Sequence, residues 1–547
     1  MSDIILHTGL ELAKHKQNPH DPLNPAVPRY LKSKLLWVPD DARSSGVHIS
    51  AGRGSGKSRM LGRLIAWEDF FRGFPVVLFD SVGGAIDNFL DKITLLPREY
   101  QQRLWPRVMY VDLSGVGARA GTDAGARGKR VVPLPLYYRL GDEPLYAISQ
   151  RFIDTLRRTD PHLASASVEG LNALSRVATP LGMVLFALGY QITEAPSLLD
   201  NPDEWEECFT QALNRYPEVG PAVEFFRQEY AAWNQATRER RTQSLRTKIA
   251  PFLYSPVSRA MFGAGQPGID WEKVVRSGYA VLLDSRHVSS LEEARFKMLW
   301  TFDYLMAYVR HRGAGHRHRP ISVIIDELAA MINLDPSSAH LFTADLDNLI
   351  NVVARNSNIW VTIAHQQMWQ FDPHIQKILL SMATQIIGSV SDLDDALILA
   401  RTFFPADVHR PKRWEPVYGS IMGFPQVIDH KPVDFPVEEQ LLAQAYRLHE
   451  LRPFHFLARV SQAEGDITGA MRAFSIRNFD KGMWVDEELV TAARAILSRR
   501  CGVSVGTVLA EIELRLLSTG GPATISRYAN NLPRTNDEEE TFREEKH

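Results

Sequence analysis

The stretch Val47–Ser58, VHISAGRGSGKS, decides the fold. Val47–Ser50 has strand-like alternation, a small-residue loop follows, and the loop closes on Gly56, Lys57 and Ser58. A helix is predicted directly after it, because Met60, Leu61, Leu64, Ile65 and Phe71 fall at helical spacing and Gly73 supplies a stop. Strand, loop and helix start make a phosphate cradle from Ala51, Gly52, Arg53, Gly54, Ser55, Gly56, Lys57 and Ser58. Backbone N–H groups in the concave loop and the positive end of the helix dipole face one anion. Lys57 is placed to reach the β- and γ-phosphates, and the Ser58 hydroxyl to hold Mg²⁺. Ala51 stands where such a loop normally opens with glycine. The competing reading is a glycine-rich surface turn, and the flanking strand and helix count against it.

Outward from the loop, the chain alternates apolar runs with helical periods. Pro75–Asp80 is a second strand, followed by a Ser81–Gly84 turn and a helix over Asp87–Ile93. Arg107–Asp112 and Gly278–Asp284 are further strands ending in aspartate, and a helix spans Leu291–Arg310. Ile321–Ile325 has the β-branched texture of a strand buried on both faces and leads into Asp326 and Glu327. A helix over Leu341–Arg355 precedes the apolar run Ile359–Ala364, and one more strand lies around Thr384–Val390. The pattern predicts an α/β, doubly wound parallel sheet with its ligand at the carboxyl edge of the strands. It divides the chain into an extended arm (1–40), a core (41–144 and 264–404) and an inserted all-α domain (145–263). A mixed segment (405–480) with short strand-like runs such as Phe454–Val460 follows, then a helical element with a disordered, acidic tail (481–547). Residues 486–517 read as two helices joined at Gly502–Val505 and fit a docking element better than a helix-turn-helix reader.

A phosphate loop alone does not separate kinases from motors. Asp326, ending an apolar strand, is a natural partner for Mg²⁺, and Glu327 after it can polarise a water for in-line attack on the γ-phosphate. That pair favours hydrolysis over phosphoryl transfer to another acceptor. Gln366 ends the next strand and is the candidate γ-phosphate sensor; strand alternation puts His365 and Gln367 on the opposite face. Arg355 ends the preceding helix, either as a solvated cation favoured by the dipole or as a finger offered to a neighbour's nucleotide. Arg43 is a weaker candidate for the same role.

On these residues the chain resembles the FtsK–HerA superfamily of DNA-translocating ATPases, and within it the VirD4/TraG-type conjugative coupling proteins. The resemblance rests on SAGRGSGKS, VVLFDSVGG, IIDELAAM and ARNSNIWVTIAHQQ, with TKIAPFLYSPVSRAMFG (247–263) as a bridge out of the helical domain, and covers about residues 40–400. It implies a RecA-like P-loop core that binds ATP with Mg²⁺, a homo-hexameric ring with intersubunit ATP sites, and DNA in a central channel. Carried over position by position, it assigns Lys57 and Ser58 to the loop, Asp326 and Glu327 to the acidic pair, Gln366 to the sensor and Arg355 to the arginine before it. Coupling proteins usually begin with two membrane helices, and none is visible here. The expected partners are therefore DNA and either a relaxase and secretion apparatus or, for a HerA-like processing motor, a nuclease. An ATP-binding scaffold that does not pump is the reading from another class.

Bulk properties set the frame. At 547 residues, 45% hydrophobic and 23% charged, the chain is an ordinary globular protein of several domains. A formal net charge of -2 gives no global pull on nucleic acid, so DNA contact must come from local groups. The candidates are the runs Arg238, Arg240, Arg241, Arg246, Lys248 and Arg310, Arg312, Arg317, Arg319, which otherwise form solvated faces. Two distant cysteines, Cys208 and Cys501, fit a reducing compartment. The longest uncharged stretch, Val177–Thr193, contains Pro180, Gly182 and Gly189 and reads as a buried helix and turn. The expectation is a cytoplasmic protein with no intrinsic membrane span, recruited to a membrane only through a partner.

Overall fold

The computed structural model describes residues 9–14, 35–115, 129–313, 315, 318–332, 334, 336–421, 424–460, 472–476 and 485–518. It separates into two compact units. The first comprises Met1–Ser114, Arg158–Ala164 and Trp271–Leu497; the second comprises Gly115–Arg157, Ser165–Asp270 and Ser498–His547.

The first unit is built on a nine-stranded sheet. Its strands are β1 (Val47–Ser50), β2 (Val76–Asp80), β3 (Val108–Asp112), β4 (Ala280–Asp284), β5 (Ile321–Asp326), β6 (Ile359–His365), β7 (Thr384–Ile387), β8 (His455–Val460) and β9 (Arg472–Ser475). The spatial order is β9-β8-β7-β1-β6-β5-β2-β4-β3. Seven neighbouring strands, β7 through β3, are parallel, as the alternating pattern requires. This is a RecA-like, doubly wound core, with the phosphate-loop strand and the acid-ended β5 flanking β6. The parallel expectation needs one correction: β8 and β9 extend the β7 edge antiparallel. The run Phe454–Val460, placed from sequence in the mixed segment, thus belongs to the main sheet.

Helices cover both faces, which is why the central strands are apolar on alternate and intervening positions alike. Val47, Ile49, Val76, Leu78 and Ile324 share one apolar cluster with the phosphate-loop helix and with helix Gly84–Thr94. Phe79, pointing the other way, meets Phe302 of helix Leu291–Arg312 edge to face. The phosphate-loop helix starts at Lys57 and runs to Phe71 with one wider stretch, Leu61–Ala66. Gly62 sits where it crosses helix Gly84–Thr94: a Cβ there would lie 2.2 Å from the Ala85 carbonyl. The two helices can be this close only because residue 62 has no side chain.

Three elements of this unit are not legible as such in the sequence. The described part of the arm pairs Gly9–Lys14 with Leu35–Pro39 antiparallel. A long hairpin, Pro411–Ile421 with Phe424–Asp434, precedes helix Val437–His449. The strand-like runs expected in 405–480 include neither of these last two. Helix Glu487–Cys501 contributes Val490 and Leu497 to the core of the sheet.

The second unit is helical. Helix Val168–Leu188 begins at a Ser167 cap and stops at Gly189 (φ 77). Among the described residues its Glu169–Leu188 window is the one helix long and apolar enough to cross a membrane. It contains Pro180, and 44% of the window is buried inside the protein. Phe152, Phe252 and Phe262 form an aromatic chain at the centre of the unit. Between the last two helices, Val503–Ser504 pairs with Arg130–Val131, and Arg515 of Val505–Ser518 binds Glu194 at 2.7 Å. Residues 116–128 and the expected acidic tail over 519–547 lie outside the described residues.

Candidate nucleotide site

The site lies at the carboxyl edge of the parallel strands, where four of them end in aspartate at matching register. Asp326 of β5 stands beside Asp80 of β2, Asp80 beside Asp284 of β4, and Asp284 beside Asp112 of β3. Four adjacent carboxylates repel unless each has its own partners. Asp80 accepts from the N–H groups of Val82, Gly83, Ala85 and Ile86 at 2.6–3.0 Å, capping helix Gly84–Thr94. Burial, with the Asp326 carboxylate behind it, still pushes Asp80 up to about 7. Asp284 takes Arg286 at 2.8 Å and the Tyr110 hydroxyl at 2.8 Å. Arg286 also holds Asp87, and these carboxylates raise its pKa against its burial. Asp112 turns back onto Ser114. Only Asp326 is left to face the loop.

The loop itself has the geometry of a cradle. Gly54 (φ 79) and Gly56 (φ 97) take the left-handed backbone that lets successive N–H groups point inward. Arg53 and Gly54 form its exposed tip, Ala51, Gly52 and Ser55 are buried, and the Ser55 hydroxyl has no hydrogen-bond partner. Gly52 N–H donates to the Ser389 carbonyl at 2.6 Å and Gly388 N–H to Ser50 at 2.9 Å, fastening the loop's first limb to the residues after β7. Its second limb is fastened by Phe454, whose N–H donates to the Ser55 carbonyl at 2.7 Å. Phe454 has φ 66, an uncommon backbone for a bulky residue, and its ring covers Gly56, where a Cβ would lie 2.5 Å from it.

Lys57, Ser58, Asp326 and Glu327 come together at the mouth of this loop. The Lys57 ammonium is 3.2 Å from Asp326 and 3.0 Å from Glu327, and Ser58 donates its hydroxyl to Asp326 at 2.8 Å. Burial opposes the charge on Lys57, and the two carboxylates outweigh it, raising its pKa. Glu327 adopts φ 72, ψ 78, a left-handed conformation costing about 1–3 kcal/mol and kept only where the surroundings impose it. Its N–H bonds the Ala364 carbonyl at 3.1 Å, and its carboxylate accepts the Gln366 N–H at 3.4 Å. β5 and β6 thus fix the acid from both ends.

The three candidates for the sensor separate cleanly. His365 is buried in the sheet, and Gln367 accepts from the Gln370 amide at 2.8 Å. Gln366 is left half-buried, with its backbone on Glu327. Arg355 is exposed at the end of helix Ala354–Asn356 and is not among the groups on Lys57, Asp326 or Glu327. Arg43 is excluded as a finger. It is fully buried, holds Asp69 through two bonds of 2.5 Å and lies 4.2 Å over the Trp360 ring. The basic runs are also partly spent. Arg238 donates to the Tyr230 and Ala231 carbonyls, and Arg246 pairs with Asp200 at 2.7 Å. Arg312 donates to the Ser357 and Arg319 carbonyls. Arg240 and Arg241 stay exposed, the latter 4.4 Å over Trp233. Arg317 lies outside the described residues.

No family model matches this sequence, and no curated protein does. Among solved structures, the unbound conjugative coupling protein TrwBdeltaN70 is similar at 13% identity and TM-score 0.47, covering 80% of this chain and 87% of that one. TrwB in complex with ADP and Mg²⁺ is similar at 12% identity and TM-score 0.47, covering 83% and 89%. VirB4 of Thermoanaerobacter pseudethanolicus is similar at 13% identity and TM-score 0.42, covering 86% and 96%. The likeness is one of outline. The roles of the site residues stand on their own geometry.

Sequence reasoning passes over two sets of residues here. Asp80, Asp284 and Asp112 are visible as strand ends, but not as one row closed by Arg286. His48, His365 and Gln385 join in a buried line beneath the loop, and their signal is a histidine or glutamine in each of three strands that are buried along their whole length.

Proposed function

We propose that this chain is an ATP-hydrolysing motor of the FtsK–HerA type that moves DNA, as the VirD4/TraG-type coupling proteins do. The observation that carries the reading is the meeting of Lys57, Ser58, Asp326 and Glu327 at one loop mouth, with the Gln366 backbone on Glu327. The donors suit Mg²⁺: Ser58 and Asp326 offer hard oxygens held 2.8 Å apart. Held by Ser58 and Asp326, the ion would supply positive charge that offsets the charge of the phosphates.

The protein's own groups do the rest. Backbone N–H groups of 56–58 and the Lys57 ammonium bind the β- and γ-phosphates, so Lys57 exchanges its carboxylate partners for the nucleotide. Glu327, released from Lys57, holds and polarises the attacking water. Gln366 reads the γ-phosphate from the next strand and, through its N–H, reports to Glu327. Arg355, exposed and outside the local site, serves the neighbouring subunit's nucleotide in a homo-hexamer. DNA passes along basic groups such as Arg240 and Arg241 of the helical insertion, 145–263. A cytoplasmic motor of this kind would meet a membrane or a secretion channel through a partner.

The test is ATP turnover by the purified chain with and without DNA, together with particle images in ATP. A DNA-stimulated rate and rings around the duplex are expected. Tight ATP binding with no turnover in either condition would show a scaffold instead, and a copurifying nuclease would place the motor in DNA processing.

A further inference from the structure

Three polar residues sit on one face of three adjacent strands in the buried centre of the sheet. Gln385 of β7 is in register with His48 of β1, and His48 with Ile363 of β6; His365, two residues on, shares the face of Ile363. All three are at least 98% buried.

Their hydrogen bonds dictate where each proton resides. The Gln385 amide nitrogen donates to the carbonyls of Leu379 (2.9 Å), Leu380 (3.2 Å) and Met382 (2.8 Å), so its orientation is fixed. Its oxygen therefore faces His48 Nδ1 at 2.5 Å, and His48 must carry its proton there. Burial holds His48 neutral, lowering its pKa to about 4, which leaves Nε2 as an acceptor. Among the described residues, the donor on it is His365 Nε2, at 2.7 Å. Burial first, then His48 and Lys57, hold His365 neutral as well. Its Nδ1 is thus the buried, unprotonated nitrogen of the ring. The Phe371 ring stands edge-on to the imidazole at 5.1 Å.

The residue so locked is the one from which the catalytic edge hangs. The His365 carbonyl accepts the Ala51 N–H at 3.2 Å, the first amide of the phosphate loop. The next N–H, that of Gln366, is the one on Glu327. We propose that the His48–His365 pair, oriented by Gln385, is a positioning element for hydrolysis: it sets the Gln366 N–H, and through it Glu327, relative to the phosphate loop. The inference rests on the reading of the site as an ATPase. A purely structural pair would fill the core and do nothing else.

The two differ in what a double replacement restores. His365→Leu alone strands His48 Nε2, and His48→Leu alone strands both His365 Nε2 and Gln385 Oε1, so each single variant is destabilised. In the double variant neither ring is left facing a missing partner, although Gln385 Oε1 still lacks the His48 donor, so the thermal midpoint returns part of the way toward that of the wild type. If the pair positions the site, kcat of the double variant stays down by about tenfold or more while KM for ATP changes by less than about twofold. Recovery of kcat together with the midpoint would overturn the proposal. A second measurement does not depend on the variants folding. Nitrogen-15 spectra of histidine-labelled, nucleotide-free wild type should show His48 protonated on Nδ1 and His365 on Nε2. The reverse assignment, or a charged ring at neutral pH, removes the mechanism. Wild-type protein that binds ATP without turning it over refutes the ATPase reading instead, and the proton assignment then still tests the pair by itself.

Discussion

Changing Glu327 to glutamine tests the proposed chemistry at its centre. In the structure one carboxylate oxygen is 3.0 Å from Lys57 and the other accepts the Gln366 N–H at 3.4 Å; the side chain is 12% exposed. Glutamine keeps the length, the shape and the second acceptor. It replaces the first oxygen with an NH₂ that cannot accept from the ammonium, but Lys57 keeps Asp326 at 3.2 Å. Losing one charge-assisted bond of this kind costs about 1.5–3 kcal/mol, so the protein stays folded with a thermal midpoint a few degrees lower. The catalytic loss is larger. An amide cannot take up the proton of the attacking water, and removing such a group slows turnover about 10²–10⁴-fold, roughly 3–5.5 kcal/mol in the barrier. ATP affinity is retained, because the negative charge that faces the γ-phosphate is gone. Phosphate release under saturating ATP and titration with a fluorescent ATP analogue read the two effects separately. Lys57→Ala should do the opposite and abolish binding. A Glu327→Gln protein that turns over within about threefold of wild type would falsify the assignment of Glu327 as the water-polarising group.

Other outcomes follow from the same geometry. Arg43→Ala strands the Asp69 carboxylate in the core and should cost about 3–5 kcal/mol in denaturant unfolding, whereas Arg43→Met with Asp69→Leu should be close to neutral. Loss of ATPase at unchanged stability would return Arg43 to the nucleotide. Arg355→Ala is a surface change, expected to move stability by less than about 0.5 kcal/mol. It should lower ATPase by about 10³-fold, with activity regained on mixing with inactive Lys57→Ala protein, which supplies the arginine; mixtures no more active than their parts would confine Arg355 to its own chain. For pH, His48 is about 4 when folded and 6.5 when free, so the unfolded chain binds more protons between those values. Stability contributed by the neutral ring is complete above about 6.5 and falls by about 3 kcal/mol as pH drops to 4. The double leucine variant should flatten that limb of the midpoint-against-pH curve, and a limb of unchanged slope would reject the assignment.

The core of the fold is readable because its physics is local. A strand, a loop of glycines and a helix start are specified by residues 47–71, and apolar runs ending in acids mark strands whose buried faces leave no other choice. Strand β8 is not readable in the same way, since six residues of mixed polarity carry no information about whether they pair with β7 or stand apart. The hairpin of 411–434 escapes for a related reason: Trp414, Tyr418 and Val427 are exposed, so no burial pattern shaped the sequence. At the site, Lys57, Ser58, Asp326 and Glu327 are legible by type and order. Arg43 is not, because an arginine before a strand looks the same whether it faces solvent or Asp69, 26 residues on. The left-handed backbone of Glu327 is equally hidden, since nothing in the residues before or after it demands that turn.

The bond from Phe454 to Ser55 carries a consequence for how the protein is made. The second limb of the phosphate loop is held by a residue that the ribosome adds some four hundred positions later. Until that segment has emerged and β8 has joined the edge of the sheet, Gly56 lacks the ring that covers it and Ser55 lacks its donor. A nascent or prematurely ended chain therefore carries the whole nucleotide motif without its finished shape. The order of synthesis thus sets the order of assembly: the loop's own residues come early, and the contact that holds its second limb comes only with the last fifth of the polypeptide.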